Sequence, residues 1–377
     1  MRVSLILGAG FSYSAGLPVV SGVSARFLKS PLFEQVLCFG STEWKWKEWA
    51  STPDLQNGIL PNEHIPVAMV LEKFIRLYLS ETHKDELNYE KFYQYLVDMC
   101  NNDYDRFRAI KLSVQKDYED RFQFRDYNFE GMTDGWIFSC FYHLVDDMLW
   151  VRKSFEEIYK SYRPYLDYFL NQDHSFNIYT LNHDLLLERI FNKCDINYDD
   201  GFSVKLNFLM DYDNKERVPV FDGSFGGRIN LLKLHGSIDV YKYTYIEESN
   251  RHKGYDYFKT MDYHTKHGAI DVDEKGNPVQ KITPSILPRF ITGDNKFDII
   301  QNDKMYQTIY QNLEQNLPAS DQLIVVGYSF QDEHINRVIE SSLPHISEVI
   351  HINPSLEFPF EHKHIRQLNP KTEAIQL

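Results

Sequence analysis

The sequence predicts an α/β protein: a Rossmann-like, doubly wound parallel sheet with a large helical insertion. Three observations predict it. Short runs rich in Val, Ile and Leu recur at 3–7, 323–326 and 348–353 and read as strands buried on both faces. These runs alternate with helical stretches instead of pairing as hairpins. Several of them end in glycine or polar clusters, at the edge where open α/β sheets bind ligands.

Each element follows in order. Val3-Ser4-Leu5-Ile6-Leu7 is closed by Gly8, so it reads as a strand feeding a turn and a helix, and it is too short for a signal peptide. From Pro31 to Arg163 the texture changes. Apolar and aromatic residues fall at helical spacing in Val67–Leu79, Tyr89–Met99 and Ile137–Val151. The charged, aromatic stretch Asp103–Glu130 is expected to be partly irregular. Phe176–Thr180 restores strand texture, Asp184–Phe191 reads as a helix, and Leu231–Leu234 is a short strand stopping at His235-Gly236. Residues 241–281 are polar and turn-rich, which suggests a surface excursion. A helix is expected over Glu333–Ser342, and Glu348–Asn353 is the expected last strand, before Pro354. The expected organisation is one nucleotide-binding domain over 1–30 and 166–377, split by a helical insertion over 31–165.

Composition narrows the function classes. Hydrophobic residues make up 43% of 377, which excludes a mostly disordered chain. The net charge of -14 argues against a broad nucleic-acid or anionic-lipid binder. No apolar run approaches the ~20 residues of a membrane span. Aromatics reach 15% and gather in the insertion, where they read as packing and assembly surface. Cys38, Cys100, Cys140 and Cys194 are far apart and form no zinc pattern, which fits a reducing, cytoplasmic setting. His264 and His267 have a ligand-like spacing but no third ligand, so they read as a solvated loop, and no metal site is expected.

The strand tips carry the chemistry: Gly8-Ala9-Gly10, Thr180-Leu181-Asn182, His235-Gly236-Ser237, Gly327-Tyr328-Ser329 and Asn353-Pro354. Glycines let backbone N–H groups approach a diphosphate, and a helix start adds partial positive charge. Taken singly, each tip has a plain alternative: a tight turn for Gly8-Ala9-Gly10, a structural hydrogen bond for His235, a helix cap for Asn182 and Asp184. The joint order is more specific. Gly8-Ala9-Gly10-Phe11-Ser12 with Ala15-Gly16-Leu17-Pro18, then Thr180-Leu181-Asn182-His183-Asp184, Leu234-His235-Gly236-Ser237, Val326-Gly327-Tyr328-Ser329 and Ile352-Asn353 resemble the successive motifs of the sirtuin family. Leu181 stands where that family has Gln.

The resemblance implies that NAD is the substrate and that its nicotinamide–ribose bond is cleaved. It implies catalytic roles for Asn182 near the ribose, Asp184 at the nicotinamide carboxamide and His235 as general base. Gly8, Ala9, Gly10 and Ser12 would line the phosphates, and Ser329 and Asn353 the adenosine half. Phe11, Pro18, Thr180 and Gly327 complete the implied binding set. Residues 195–377 contain no cysteine, so the zinc module that helps deacylating sirtuins present acyl-lysine is not expected. Gly327–Asn336, Thr292–Lys296 after Pro288-Arg289-Phe290, and Asn88-Tyr89-Glu90 resemble the bacterial sirtuin-like proteins of antiviral defence. That branch implies an NAD+ hydrolase that depletes the cell of NAD, acting as a homo-oligomer or with a HerA-like hexameric ATPase. NAD-dependent lysine deacylation, ADP-ribosyl transfer and a non-catalytic NAD or ADP-ribose sensor are the alternatives. Asp332, His334 and Asn336 read as helix caps or pocket lining, and Arg289 and Lys296 as surface charges or diphosphate partners.

Overall fold

The computed structural model describes the chain except residues 29–32, 39–40, 47–63, 83–86, 123–126, 172, 211–216, 247–251, 261–268, 273–274, 276, 292–295, 355–356, 372–374 and 376. His264, His267 and most of Thr292–Lys296 thus lie outside the described residues. The chain opens with β1 (Arg2–Leu7), the single turn α1 (Ala9–Ser12) and a 3-10 turn over Tyr13–Ala15. Then come α2 (Val20–Phe27), β2 (Phe33–Cys38), β3 (Ser41–Trp46), α3 (Ile65–Thr82), α4 (Tyr89–Asn102), α5 (Tyr104–Ser113), α6 (Gln115–Arg121) and α7 (Asp134–Leu149). They are followed by α8 (Phe155–Phe169), β4 (Ser175–Thr180), α9 (Leu186–Lys193), β5 (Phe202–Met210), β6 (Arg217–Phe221) and β7 (Ile229–Lys233). Next are β8 (Gly236–Ile246), β9 (His252–Lys259), β10 (Ala269–Val272) and β11 (Pro278–Phe290). The chain ends with α10 (Lys296–Asn302), α11 (Lys304–Asn316), β12 (Gln322–Val326), α12 (Glu333–Ser342), β13 (Glu348–Ile352) and β14 (Ile365–Leu368).

Two compact units emerge. One comprises Met1–Leu17, Val151–Ile291 and Lys296–Leu377; the other is built on Pro18–Trp150. The first holds a parallel sheet in the order β14-β13-β12-β1-β4-β7. Side chains alternate across a strand, so β1 feeds both faces. Val3, Leu5 and Leu7 join Ile158, Tyr162, Tyr165, Leu166 and Phe169 of α8 and Leu186, Ile190 and Phe191 of α9 on one face. Ile6 joins Met305, Tyr306, Ile309 and Leu313 of α11 and Ile335 and Ile339 of α12 on the other. Helices cover both faces, which is why the strands read as continuous apolar runs. The same unit carries a closed antiparallel barrel, β10-β11-β8-β9-β6-β5.

The barrel corrects the expectation for 241–281. Its strands are ordered by period-two alternation, with Tyr241, Tyr243, Val218, Val220, Phe258 and Ile282 turned into the barrel core. The intervening Lys242 and Thr244 lower the mean apolarity and hide the pattern. The insertion boundary also differs. The second unit ends at Trp150, not at 165, because the apolar face of α8 packs under the sheet of the first unit. It also starts at Pro18, before the expected 31. Asp103–Glu130 is partly irregular as expected: α5 and α6 occupy Tyr104–Arg121, and Phe122 and residues 127–130 are not helical. β13 is not the last strand, since β14 pairs beside it.

Within the second unit the aromatic excess forms a core. Phe27 stacks on Phe141 at 5.3 Å, Phe74 lies 4.7 Å from Phe107, and Phe92 lies 5.6 Å from Tyr78. α4 is capped by Asn88, whose Oδ1 accepts from the Glu90 and Lys91 N–H groups. No helix of the described residues is long and apolar enough to cross a membrane.

Candidate functional site

Strand register builds the site. Leu7 pairs with Thr180 and Val326, Thr180 pairs with Lys233, and Val326 pairs with Ile352. These last paired residues form one line across the sheet. Gly8, Leu181, Leu234, Gly327 and Asn353 therefore start their loops at one carboxyl edge. The chain leaves β1 on the side of α8, where Phe11 packs edge-on against Tyr162 at 5.0 Å and Tyr165 at 5.2 Å. It leaves β12 on the opposite side, where Tyr328 joins the core beneath α12. The β1/β12 boundary is thus the topological switch point, where doubly wound sheets bind ligands.

The glycines at this boundary have a different use from the one the sequence suggests. Gly8 N–H donates to Val326 O and Gly10 N–H to Gly327 O. A Cβ on Gly8 would stand 2.5 Å from Gly327 O, and one on Gly10 would stand 2.7 Å from Gly327 Cα. Gly327 itself has φ +58, and its Cβ would meet Gly10 at 2.5 Å. The glycines let two loop backbones touch, and the N–H groups of Gly8 and Gly10 are committed to that contact. α1 is a single turn, so its dipole contributes little. Phe11 is a core residue whose ring anchors the loop.

Next to this contact lies a closed hydrogen-bond network. Ser12 Oγ donates to Asp184 Oδ2 at 2.8 Å. Asn182 Nδ2 donates to Ser12 Oγ at 2.9 Å and to Gly8 O at 3.0 Å. Gly8 O can only accept, so the amide orientation of Asn182 is fixed and both its N–H bonds are used. Among the described residues no group donates to its Oδ1, which can accept from a ligand. Asp184 Oδ1 accepts from Leu186 N–H at 3.0 Å and holds the start of α9. Asp184 is buried, with Oδ2 on Ser12 and Oδ1 on the Leu186 N–H, so it supports Ser12 and the loop. Burial pushes its carboxyl up, opposed mainly by the Lys233 ammonium. Thr180 Oγ1 accepts from Asn182 N–H at 3.1 Å, which sets the turn out of β4.

His235 sits two residues beyond the end of β7, as Asn182 does beyond β4. Gly236, with φ 83, reverses the chain into β8 behind it. His235 is 4% exposed and its Nε2 makes no hydrogen bond among the described residues. The nearest opposite charge is Asp332, with Oδ1 3.6 Å from Nε2. Burial pushes the His235 imidazole well below its ordinary range, and the Lys296 charge, His183 and His334 push it further. His235 is therefore neutral at pH 7, with a lone pair available. His183, whose ring centroid is 6.3 Å away, is likewise pushed down by burial to about 3.

Behind the loop lies a buried charge cluster. Lys233 Nζ donates to Asp184 O and reaches Glu188 Oε1 at 3.1 Å. Lys259 of the barrel pairs with Asp200 at 2.6 Å, Asp239 at 3.6 Å and Glu188 at 3.8 Å. These residues escape motif reading. The one signal is a lysine at the end of the short strand run Leu231-Leu232-Lys233.

The remaining expected residues are spread. Ala9 is half-buried, Gly10 and Ser329 are exposed, and Asn353 is buried with Nδ2 donating to Tyr328 O at 3.3 Å. Pro18 belongs to the other compact unit. Asn336 ties the loop after β12, accepting from Tyr328 OH at 3.1 Å and donating to Phe330 O at 2.8 Å. Arg289 pairs with Asp303 at 2.8 Å, and Lys296 pairs with Asp332 at 3.2 Å. Both cations are thus held by internal carboxylates.

Residues 177–355 match the family model of the SIR2-like domain. The matched span begins in β4 and contains Asn182, Asp184, His235, Gly327, Ser329 and Asn353; β1 and Gly8–Ser12 lie outside it. This supports a sirtuin-like domain, and SIR2-like domains use NAD as a substrate. No curated protein matches the sequence.

Proposed function

We propose that the protein hydrolyses NAD+ at the nicotinamide–ribose bond. The observation that carries this reading is the pair at the aligned ends of β4 and β7: Asn182, whose amide N–H groups are taken while its oxygen stays an acceptor, and His235, a buried neutral imidazole whose Nε2 has no hydrogen-bond partner among the described residues. The C1′–N bond breaks and its electron pair leaves with neutral nicotinamide. A water oxygen bonds to C1′, and the proton it loses passes to His235 Nε2. The net reaction is NAD+ and water giving nicotinamide, ADP-ribose and a proton. Asn182 Oδ1 accepts a hydrogen bond from that water or from a ribose hydroxyl and so fixes the line of attack. A weak base suffices, because the bond to the leaving group is largely broken before water attacks and water becomes acidic as it bonds. Ser12 and Asp184 hold Asn182 in place.

Nicotinamide release from NAD+ by the purified chain, with and without an acyl-lysine peptide, tests the reaction. Release without peptide is expected. Strict peptide dependence moves the assignment to deacylation, and tight NAD+ binding with no turnover moves it to a sensor. His235→Ala and Asn182→Ala should each reduce turnover by about 10²–10⁴-fold with an unchanged melting profile. Full activity in both variants would falsify the site.

The likeness of Gly327–Asn336 to the defence branch supports a physiological setting in which this turnover depletes NAD in phage-infected cells. In that setting the chain works as a homo-oligomer or beside a HerA-like hexameric ATPase. Light scattering on the purified chain, and co-purification with such an ATPase, measure these two points.

A further inference from the structure

His235 has neighbours that hydrolysis does not use. Asp332 and His334 flank the first residue of α12, and one donor atom from each of His235, Asp332 and His334 lies within 4.8 Å of the others. The rings of His235 and His334 are 6.2 Å apart between centroids. Asp332 occupies the N-cap position of α12, yet its carboxylate makes no cap bond. A cap bond is worth about 1 kcal/mol, and here the side chain forgoes it to face His235 and Lys296. His334 Nε2 shares a hydrogen bond of 2.9 Å with Tyr310 OH, which fixes the ring as partners of metal-bound histidines do. Buried His235 Nε2 has no hydrogen-bond partner among the described residues and is aimed into the group.

Two imidazoles and one carboxylate suit a borderline divalent ion better than Mg2+ or Ca2+, which prefer oxygen. Bonds of ~2.0–2.2 Å in a tetrahedron set donors about 3.3–3.6 Å apart, so only a small inward movement is needed. One cation is already present: Lys296 Nζ, 3.2 Å from Asp332 Oδ1. An incoming ion must displace it, which makes the site reversible.

We propose that His235, Asp332 and His334 form a regulatory site for a divalent transition-metal ion of the Zn2+ class, with Lys296 as the competing internal cation. Binding would take the His235 lone pair and stop turnover; that consequence rests on the hydrolase reading, whereas the binding itself does not.

The test is Co2+ titration of the full-length protein, followed by visible absorption, with Mg2+ as the control ion. We expect one Co2+ per chain, displaced by Zn2+ and indifferent to Mg2+. His334→Ala should weaken binding by at least ~10-fold, and Lys296→Met should tighten it. This gain cannot come from misfolding. No saturable Co2+ signal, or one that survives both His334→Ala and Asp332→Asn, overturns the site. Nicotinamide release is measured in parallel with Zn2+ and then excess chelator. Reversible loss supports silencing, and unchanged turnover with the ion bound overturns it. A protein without turnover in either condition overturns the hydrolase reading, while the ion site stands or falls on the absorption.

Discussion

His351 lies fully buried in β13 among Phe330 and Phe358, and neither ring nitrogen has a hydrogen-bond partner among the described residues. Burial pushes it down to about 4. The unfolded chain binds a proton below pH ~6.5 and the folded one does not, so the stability tied to the neutral ring is present above 6.5 and lost as pH falls towards 4. His351→Leu should therefore raise stability by about 1 kcal/mol at pH 7 and by more at pH 5. Urea unfolding at both pH values checks it, and an equal acid sensitivity in the two proteins rejects the assignment. Phe330 beside it holds φ 56, a left-handed conformation rare outside glycine, which turns its ring into the same aromatic cluster. Residues of this kind were not legible in the sequence. Gly8 and Gly327 were, but the reason for them was not: a glycine that admits a phosphate and one that admits another backbone look alike until the second loop is in view.

Among the elements, the strands of the sheet were the most legible, because burial on both faces leaves an unmixed apolar run. Helix α12 matches its expected span of Glu333–Ser342. The barrel was not legible, since its strands carry one apolar face and their polar residues dominate any average. That barrel is tied to α9 through Lys259, buried against Asp200, Asp239 and Glu188. The surrounding carboxylates outweigh the penalty of burial and hold its ammonium charged. Lys259→Met would strand them without a counter-charge and should destabilise by about 3 kcal/mol. Arg337→Ala, which breaks the exposed pair with Glu333, should be silent by comparison. Equal effects in chemical denaturation would contradict a buried cluster.

Across the whole molecule, the site depends on joining parts that are far apart in the chain. Ser12 meets Asn182 and Asp184 across separations of 170 and 172 residues. A double-mutant cycle of Ser12→Ala and Asn182→Ala measures that coupling. Two positions in one buried network should show an interaction energy of at least ~0.5 kcal/mol, and strict additivity would show that they do not share it. The charge of -14 is compatible with the proposed anionic substrate when the acting groups are local. Arg289 and Lys296, read from the sequence as surface charges or diphosphate partners, are each paired with a carboxylate, Asp303 and Asp332.

By itself the sequence determined the sheet, its doubly wound class and the set of strand tips, because those depend on local apolar runs and the residues that end them. Only the tertiary structure decided which tip atoms remain open. Asn182 is left an acceptor because Gly8 O and Ser12 Oγ take its protons. His235 is neutral because it is buried beside Lys296, and it faces Asp332 and His334 because α12 begins at the neighbouring tip. A hydrogen bond or a desolvated charge is a property of two groups in contact, and contact between groups so distant in the chain exists only after folding.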